Sequence, residues 1–186
     1  RDVKFGYKED KIVIKKFNEE VAPGRRVAIV GPTGAGKTTL VKLLMRFYDV
    51  NSGSILVDGK DIRDYTRADL RKQFGMVLQD TWLFTGSIKE NIAFGSNNPS
   101  EDEIFKAATA ANIDHFIRSL PEGFNTQLTD DSAAISNGER QLLTIARAFI
   151  ADPAILILDE ATSSVDTRTE VLVQQAMKRL RAGRTS

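Results

Sequence analysis

Cysteine is absent from the 186-residue sequence. That excludes a disulfide scaffold, a thiolate metal site and a cysteine nucleophile, and it agrees with a reducing compartment. An excess of charge of one sign is also missing: 26 Lys and Arg against 25 Asp and Glu leave a net +1. No basic field points to a nucleic-acid or acidic-membrane partner. No apolar run approaches the ~20 residues of a membrane span; runs such as Ala154 to Leu158 are far shorter. No charged-then-apolar leader opens the chain, so no secretory signal is read. The single histidine, His115, stands beside Phe116 and far from every motif. It reads as a surface residue without a catalytic role. What remains is an ordinary globular composition, 41% apolar and 27% charged. A soluble piece follows, with one real core or one core plus a small subdomain.

Short β-rich runs alternate with helical patterns, without repeats or low-complexity tracts. Val3, Phe5 and Tyr7 alternate with polar residues and predict a strand; Ile12 to Phe17 predicts a second one. Pro23-Gly24 punctuates, and Arg26 to Val30 reads as a short buried strand before a Gly-rich loop. Leu40, Leu43, Leu44 and Phe47 then recur at helical spacing. Ser54 to Val57 with Asp58-Gly59 predicts a strand and turn, followed by a short helix after Thr66 and a strand at Met76 to Leu78. From Thr81 to Asp152 the character changes. Ser87/Glu90, Ser100/Glu103 and Ser136/Glu139 each fit the capping box, and no convincing strand separates them. This stretch, 81–152, is predicted to be a helical insertion. Strand signal returns at Ala154 to Leu158, and a last helix, capped by Thr167 and Glu170, buries Leu172, Val173, Ala176, Met177 and Leu180. The expected fold class is α/β, a parallel sheet covered by helices, with an antiparallel β portion at the N-terminal end. Its core occupies residues 1–80 and 153–186.

Gly31-Pro32-Thr33-Gly34-Ala35-Gly36-Lys37-Thr38 matches G-x-x-x-x-G-K-[ST] between a predicted strand and a predicted helix. Glycines let backbone N–H groups wrap phosphates, Lys37 reaches the β and γ oxygens, and the Thr38 hydroxyl binds Mg²⁺. The helix start adds its positive end. The apolar strand Ile155 to Leu158 ends in Asp159-Glu160. At a sheet edge facing the loop, Asp159 could hold Mg²⁺ through water and Glu160 could orient or deprotonate an attacking water. These residues point to a Mg²⁺-dependent nucleoside triphosphatase. Neither N-K-x-D nor D-x-x-G occurs, which disfavours a guanine-nucleotide enzyme.

With these motifs in place, the sequence resembles the ATP-binding domain of ABC transporters, of the exporter type. The likeness runs nearly end to end. Tyr7 in Val-Lys-Phe-Gly-Tyr matches the aromatic that stacks on adenine. Gln79 in Val-Leu-Gln-Asp matches the glutamine that contacts Mg²⁺ and the attacking water. Leu83 to Ile92 resembles the region where coupling helices dock. Ser136-Asn137-Gly138-Glu139 with Arg140 resembles the signature sequence, and Ser163-Ser164-Val165-Asp166 the loop that crosses the dimer interface. The resemblance implies ATP and Mg²⁺ as cofactors, held by Tyr7, Gly31 to Lys37, Thr38 and Thr39, with Thr38, Gln79 and Asp159 toward the metal. Glu160, Gln79 and Lys37 would carry hydrolysis, while Ser136 and Gly138 complete the site of a second copy bound head to tail.

Partners implied are that second ATP-binding domain, as homo- or heterodimer, and a transmembrane domain on the cytoplasmic face of a plasma or inner membrane. No nucleic acid is implied, and the membrane is met only through the transmembrane domain. Three departures stand out. In the signature, Ile135 stands for leucine, Asn137 for the first glycine and Glu139 for glutamine, the last a repulsive choice near a triphosphate unless the carboxylate folds back onto its own helix start. Thr126 to Ser132 lacks the usual Gly-Glu. The family's switch histidine would lie beyond Ser186, so the chain is predicted to be a segment of a longer transporter half. The alternative is a module that binds ATP with little hydrolysis, as in the degenerate site of a heterodimeric exporter or in an inactive fragment. A soluble relative acting in DNA repair or translation is disfavoured by the absence of a long coiled-coil insertion.

Overall fold

In the computed structural model, which describes residues 1–8, 10–78, 81–129, 135–158 and 166–186, the chain divides into two units. Residues 1–74 with 185 form one, and residues 75–184 with 186 form the other.

The first unit opens on an antiparallel pair, β1 (Val3–Lys8) and β2 (Lys11–Phe17), running from Val3 opposite Phe17 to Lys8 opposite Lys11. Val3 and Phe5 face the core, as their alternation predicts, while Tyr7 stays largely outside. A Cβ on Gly6 would lie 2.4 Å from the Lys11 carbonyl oxygen, so this close approach requires glycine. Helix α1 (Lys37–Leu44) buries Leu40 and Leu43. A small hairpin follows, β3 (Leu56–Val57) against β4 (Lys60–Asp61). Its turn residues Asp58 and Gly59 both take positive φ (49° and 80°), the left-handed pair that a tight hairpin demands. Helix α2 (Arg67–Lys72) is capped by Thr66 and buries Leu70.

Two expectations fail in this unit. Arg26 to Val30 forms no strand: among the described residues nothing pairs with it, and Val30 is 85% exposed. Its β-branched residues suit a pleated surface, but shape without ladder hydrogen bonds and a covering layer does not make a strand. The predicted helical face reaching Phe47 also stops early. Helix α1 ends at Leu44, Arg46 turns left-handed (φ 51°), and Phe47 is exposed beneath the Arg71 guanidinium.

Strand β5 (Phe74–Val77) leads into the second unit, where it is hydrogen-bonded to β8 (Ile155–Leu158); the described residues there also form five α-helices: α3 (Ile88–Ala93), α4 (Glu101–Ala110), α5 (Asp114–Ser119), α6 (Asn137–Ala151) and α7 (Thr167–Arg181). All three expected capping boxes are formed, with each serine taking the N–H three residues on and each glutamate reaching back. Helix α6 is the hub, packing against α3, α4 and α7. Its Leu142, Leu143, Ile145 and Ala146 join Val77, Leu156, Val173 and Leu180 in one apolar cluster. Fully burying each leucine there contributes about 1.5–3 kcal/mol.

Two details differ from expectation. The cap of α7 is Asp166 rather than Thr167; its carboxylate accepts from the Arg168 and Thr169 N–H groups at 3.1 and 3.0 Å. A carboxylate one residue earlier reaches the first-turn donors, which leaves Thr167 as the first helical residue. The helical stretch also contains a short antiparallel pair, β6 (Gly86–Ser87) with β7 (Gln127–Leu128).

Candidate functional site

The glycine-rich loop gains its shape from two left-handed residues, Gly34 (φ 83°) and Gly36 (φ 95°), a region closed to most side chains. Gly36 immediately precedes α1, and no side chain caps that helix. Its first turn contains no acidic residue either. The leading N–H groups of α1 are therefore offered without a competing carboxylate, the arrangement that binds anions. A Cβ on Gly36 would come 3.2 Å from Val13 Cγ1, so the loop rests directly on β2. The Lys37 ammonium donates to the Gly31 and Pro32 carbonyls at 2.6 and 3.0 Å, bridging the loop from within. Thr38 is exposed, while Thr39 is buried at 7%.

Tyr7 sits 48% exposed on β1. Its ring meets Phe5 at 5.1 Å and Tyr48 at 5.2 Å, both with near-perpendicular planes. Its hydroxyl lies 3.1 Å from Thr39 Oγ1 on the helix that begins at the loop. The structure thus brings Tyr7 together with the helix that follows the glycine-rich loop. Tyr48 and the Tyr7–Thr39 contact had no sequence signal, because both depend on contacts more than 30 residues apart.

In the second unit, Ser136 caps α6 and is exposed. Both its N–H and its hydroxyl donate to Glu139 Oε2 at 2.8 Å, and the Glu139 N–H returns to Ser136 Oγ at 3.3 Å. The carboxylate that replaces the expected glutamine is folded back, as its spacing predicts. Gly138 is buried in the first turn. Related boxes hold Glu90 and Glu103 below the ordinary glutamate range. For Glu90 the main cause is the Ser87 N–H, and for Glu103 the Ser100 hydroxyl. Asp166 is lowered by hydrogen bonding to Thr169.

The run after β5 carries an exposed aromatic patch. Trp82 is 63% and Phe94 67% exposed, and both pack on Phe84, at centroid distances of 6.0 and 5.5 Å. Beside it lies a pocket of about 150 Å³ walled by Thr81 to Phe84, Leu128, Thr129, Ile135 and Arg140. Phe94 and the buried Asn91 that braces this run were not singled out in the sequence.

Gln79, Asp159, Glu160 and Ser163 to Val165 lie outside the described residues. His115 is exposed on α5. Among the described residues no group of three acidic or histidine side chains could hold a metal alone. The exposed Thr38 hydroxyl beside an uncapped helix start fits a cation that arrives with a phosphate ligand instead.

Comparison with known proteins agrees with these features. Residues 14–163 match the ABC transporter family. The chain is 58% identical over 184 residues to the fatty acid ABC transporter ATP-binding/permease protein of Mycobacterium tuberculosis, covering 99% of this chain and 29% of that protein. It is 50% identical to the ATP-dependent lipid A-core flippase of Syntrophus aciditrophicus, covering 100% of this chain and 31% of the flippase. A solved structure of a bacterial Atm1-family ABC exporter with ATP bound superposes with a TM-score of 0.88 at 44% identity, over 99% of this chain and 32% of that one. The chain thus spans about three tenths of the length of the relatives it matches. The likeness gives the fold as the P-loop α/β class with parallel and antiparallel strands. No helix among the described residues is long and apolar enough to cross a membrane. With its glycine-rich loop, its serine-capped α6 and these relatives, the chain belongs to the ABC transporter family, as an ATP-binding domain of the exporter kind.

Proposed function

We propose that this domain binds ATP at Gly31 to Thr39, hydrolyses it to ADP and phosphate, and so drives a substrate across a membrane. The observation that carries the reading is the loop itself: two left-handed glycines, an uncapped helix start and a lysine laid across the loop, next to an exposed tyrosine ring. Tyr7 stacks on adenine. Lys37 and the loop N–H groups offset phosphate charge, which grows on the leaving oxygens as the bond between the β and γ phosphates breaks. Thr38, Gln79 and Asp159 would hold Mg²⁺, which would supply positive charge to offset that of the phosphates. Gln79 and Glu160 orient the attacking water, and Glu160 takes its proton.

A second copy would meet the nucleotide through Ser136 and Gly138, pairing two such domains head to tail. The patch of Trp82, Phe84 and Phe94 would receive a coupling segment of the transmembrane part. The Mycobacterium tuberculosis relative, an ATP-binding/permease protein, is more than three times this chain's length, which leaves room for such a part. The domain would then stand on the cytoplasmic face of that membrane.

Glu160→Gln in the full-length transporter tests the reading. ATP should still bind while phosphate release falls by about 10²–10⁴-fold, the usual contribution of a general base. Unchanged release would remove Glu160 from the role. One observation favours a second reading, an ATP-holding module with little turnover: the Ser136 hydroxyl is engaged by Glu139. Slow phosphate release that is insensitive to Glu160→Gln, with ATP binding intact, would support it.

A further inference from the structure

Arg147 lies on α6, eleven residues after the Ser136 cap, or about 16 Å along the helix at 1.5 Å per residue. Its guanidinium makes three directed hydrogen bonds. Nε donates to the Asn91 carbonyl and Nη1 to the Trp82 carbonyl, both at 2.6 Å, and Nη2 donates to Asn91 Oδ1. The same group stands 5.7–5.8 Å from the ring centres of Trp82, Phe84 and Phe94, so one cation serves all three rings of the patch.

Asn91 is fully buried, and it locks the loop from the other side. Its Oδ1 accepts from the Phe84 N–H at 3.1 Å, and its Nδ2 donates to the Phe84 and Ser87 carbonyls at 3.0 Å. Every donor and acceptor of that amide is engaged. Close packing reinforces the joint, because a Cβ on Gly95 would lie 2.3 Å from the Arg147 carbonyl oxygen. Near its start, α6 meets the same loop again: Ile135 and Arg140 share the pocket wall with Thr81 to Phe84.

We infer that Arg147 is a positioning residue that makes α6 a rigid link between the Ser136 helix start and the exposed aromatic patch. Contact with nucleotide at one end then alters the patch at the other, and by thermodynamic reciprocity a partner on the patch alters the Ser136 end. The inference rests on the proposed function, which supplies the ligand at each end. Lysine cannot replace arginine here, since a point charge does not span two carbonyls and an amide oxygen in one fork.

Hydrogen exchange of the full-length transporter carrying Glu160→Gln, with and without Mg-ATP, tests the link. With Arg147 present, peptides covering 31–39 and 81–94 should both exchange at least fivefold more slowly when Mg-ATP is added. With Arg147→Lys, the 31–39 response should persist while the 81–94 response disappears. A purely structural role would raise exchange in 81–94 with and without Mg-ATP and leave the ratio intact, and that result overturns the inference. So does an 81–94 segment that ignores Mg-ATP while Arg147 is present. If Arg147→Lys does not fold, Phe94→Leu, at an exposed position that keeps every hydrogen bond, should at least halve the 81–94 response; an undiminished response overturns the inference. Absence of any response at 31–39 in the Arg147 protein would instead refute the nucleotide-binding reading beneath it.

Discussion

Tyr7 offers a way to separate recognition of the base from recognition of the phosphates. Its two bonding features are distinct: a ring that is 48% exposed, and a hydroxyl 3.1 Å from Thr39 Oγ1. Tyr7→Leu removes the ring. Stacking of a base on an aromatic side chain contributes about 1–3 kcal/mol, which corresponds to a rise of about 5- to 150-fold in the Kd for ATP. Tyr7→Phe keeps the ring and its edge contacts with Phe5 and Tyr48 while deleting the hydroxyl. The lost bond carries a net of about 0.5–1.5 kcal/mol. Because that bond already exists without nucleotide, its loss reaches ATP only through ring placement, so about tenfold is an upper bound. The assay is equilibrium titration of the full-length protein with Mg-ATP and, in parallel, with Mg-tripolyphosphate, which has no base. Tyr7→Leu should weaken ATP by the stated range and leave tripolyphosphate within about twofold. Equal weakening of both ligands would refute the argument, because Tyr7 would then act on the loop through Thr39. So would ATP binding unchanged by Tyr7→Leu.

Two further outcomes follow from the second unit. Glu90 and Glu103 sit below the ordinary glutamate range when folded, so their contribution is fully present above the unfolded value and is lost as pH falls through the folded one. Acidification below about pH 4.3 should therefore loosen the starts of α3 and α4, and thermal melts of Glu90→Gln with Glu103→Gln should depend less on pH below that point; an unaltered dependence would refute the linkage. Gly95→Ala places a methyl 2.3 Å from the Arg147 carbonyl oxygen and 2.6 Å from Ile150 Cγ2. Overpacking of this kind costs about 1–3 kcal/mol, and faster hydrogen exchange across both α3 and α6 should report it.

Features read correctly from sequence are those whose partners are close along the chain. The capping boxes link residues three apart, and the glycine-rich loop encodes its own turn through Gly34 and Gly36. Several failures occur where a distant partner decides. Arg26 to Val30 has the composition of a buried strand, yet no described neighbour supplies its ladder. The Gly86–Ser87 and Gln127–Leu128 pair, about forty residues apart, leaves no periodic pattern in two-residue strands. The bonds from Arg147 to Asn91 span 56 residues, and neither residue type announces the other. For α7 two adjacent residues could each cap the helix, and the choice of Asp166 came from reach. Gln79 rests on the resemblance, and Asp159 and Glu160 on the apolar strand that they follow.

The Lys37 ammonium, already anchored on the Gly31 and Pro32 carbonyls, has a bearing on how an anion is captured. A free lysine tail loses about 2 kcal/mol of rotamer entropy when immobilised. Here that loss is incurred as the loop folds, before any ligand arrives. An incoming triphosphate meets a cation held in place in advance, so more of its attraction survives as affinity.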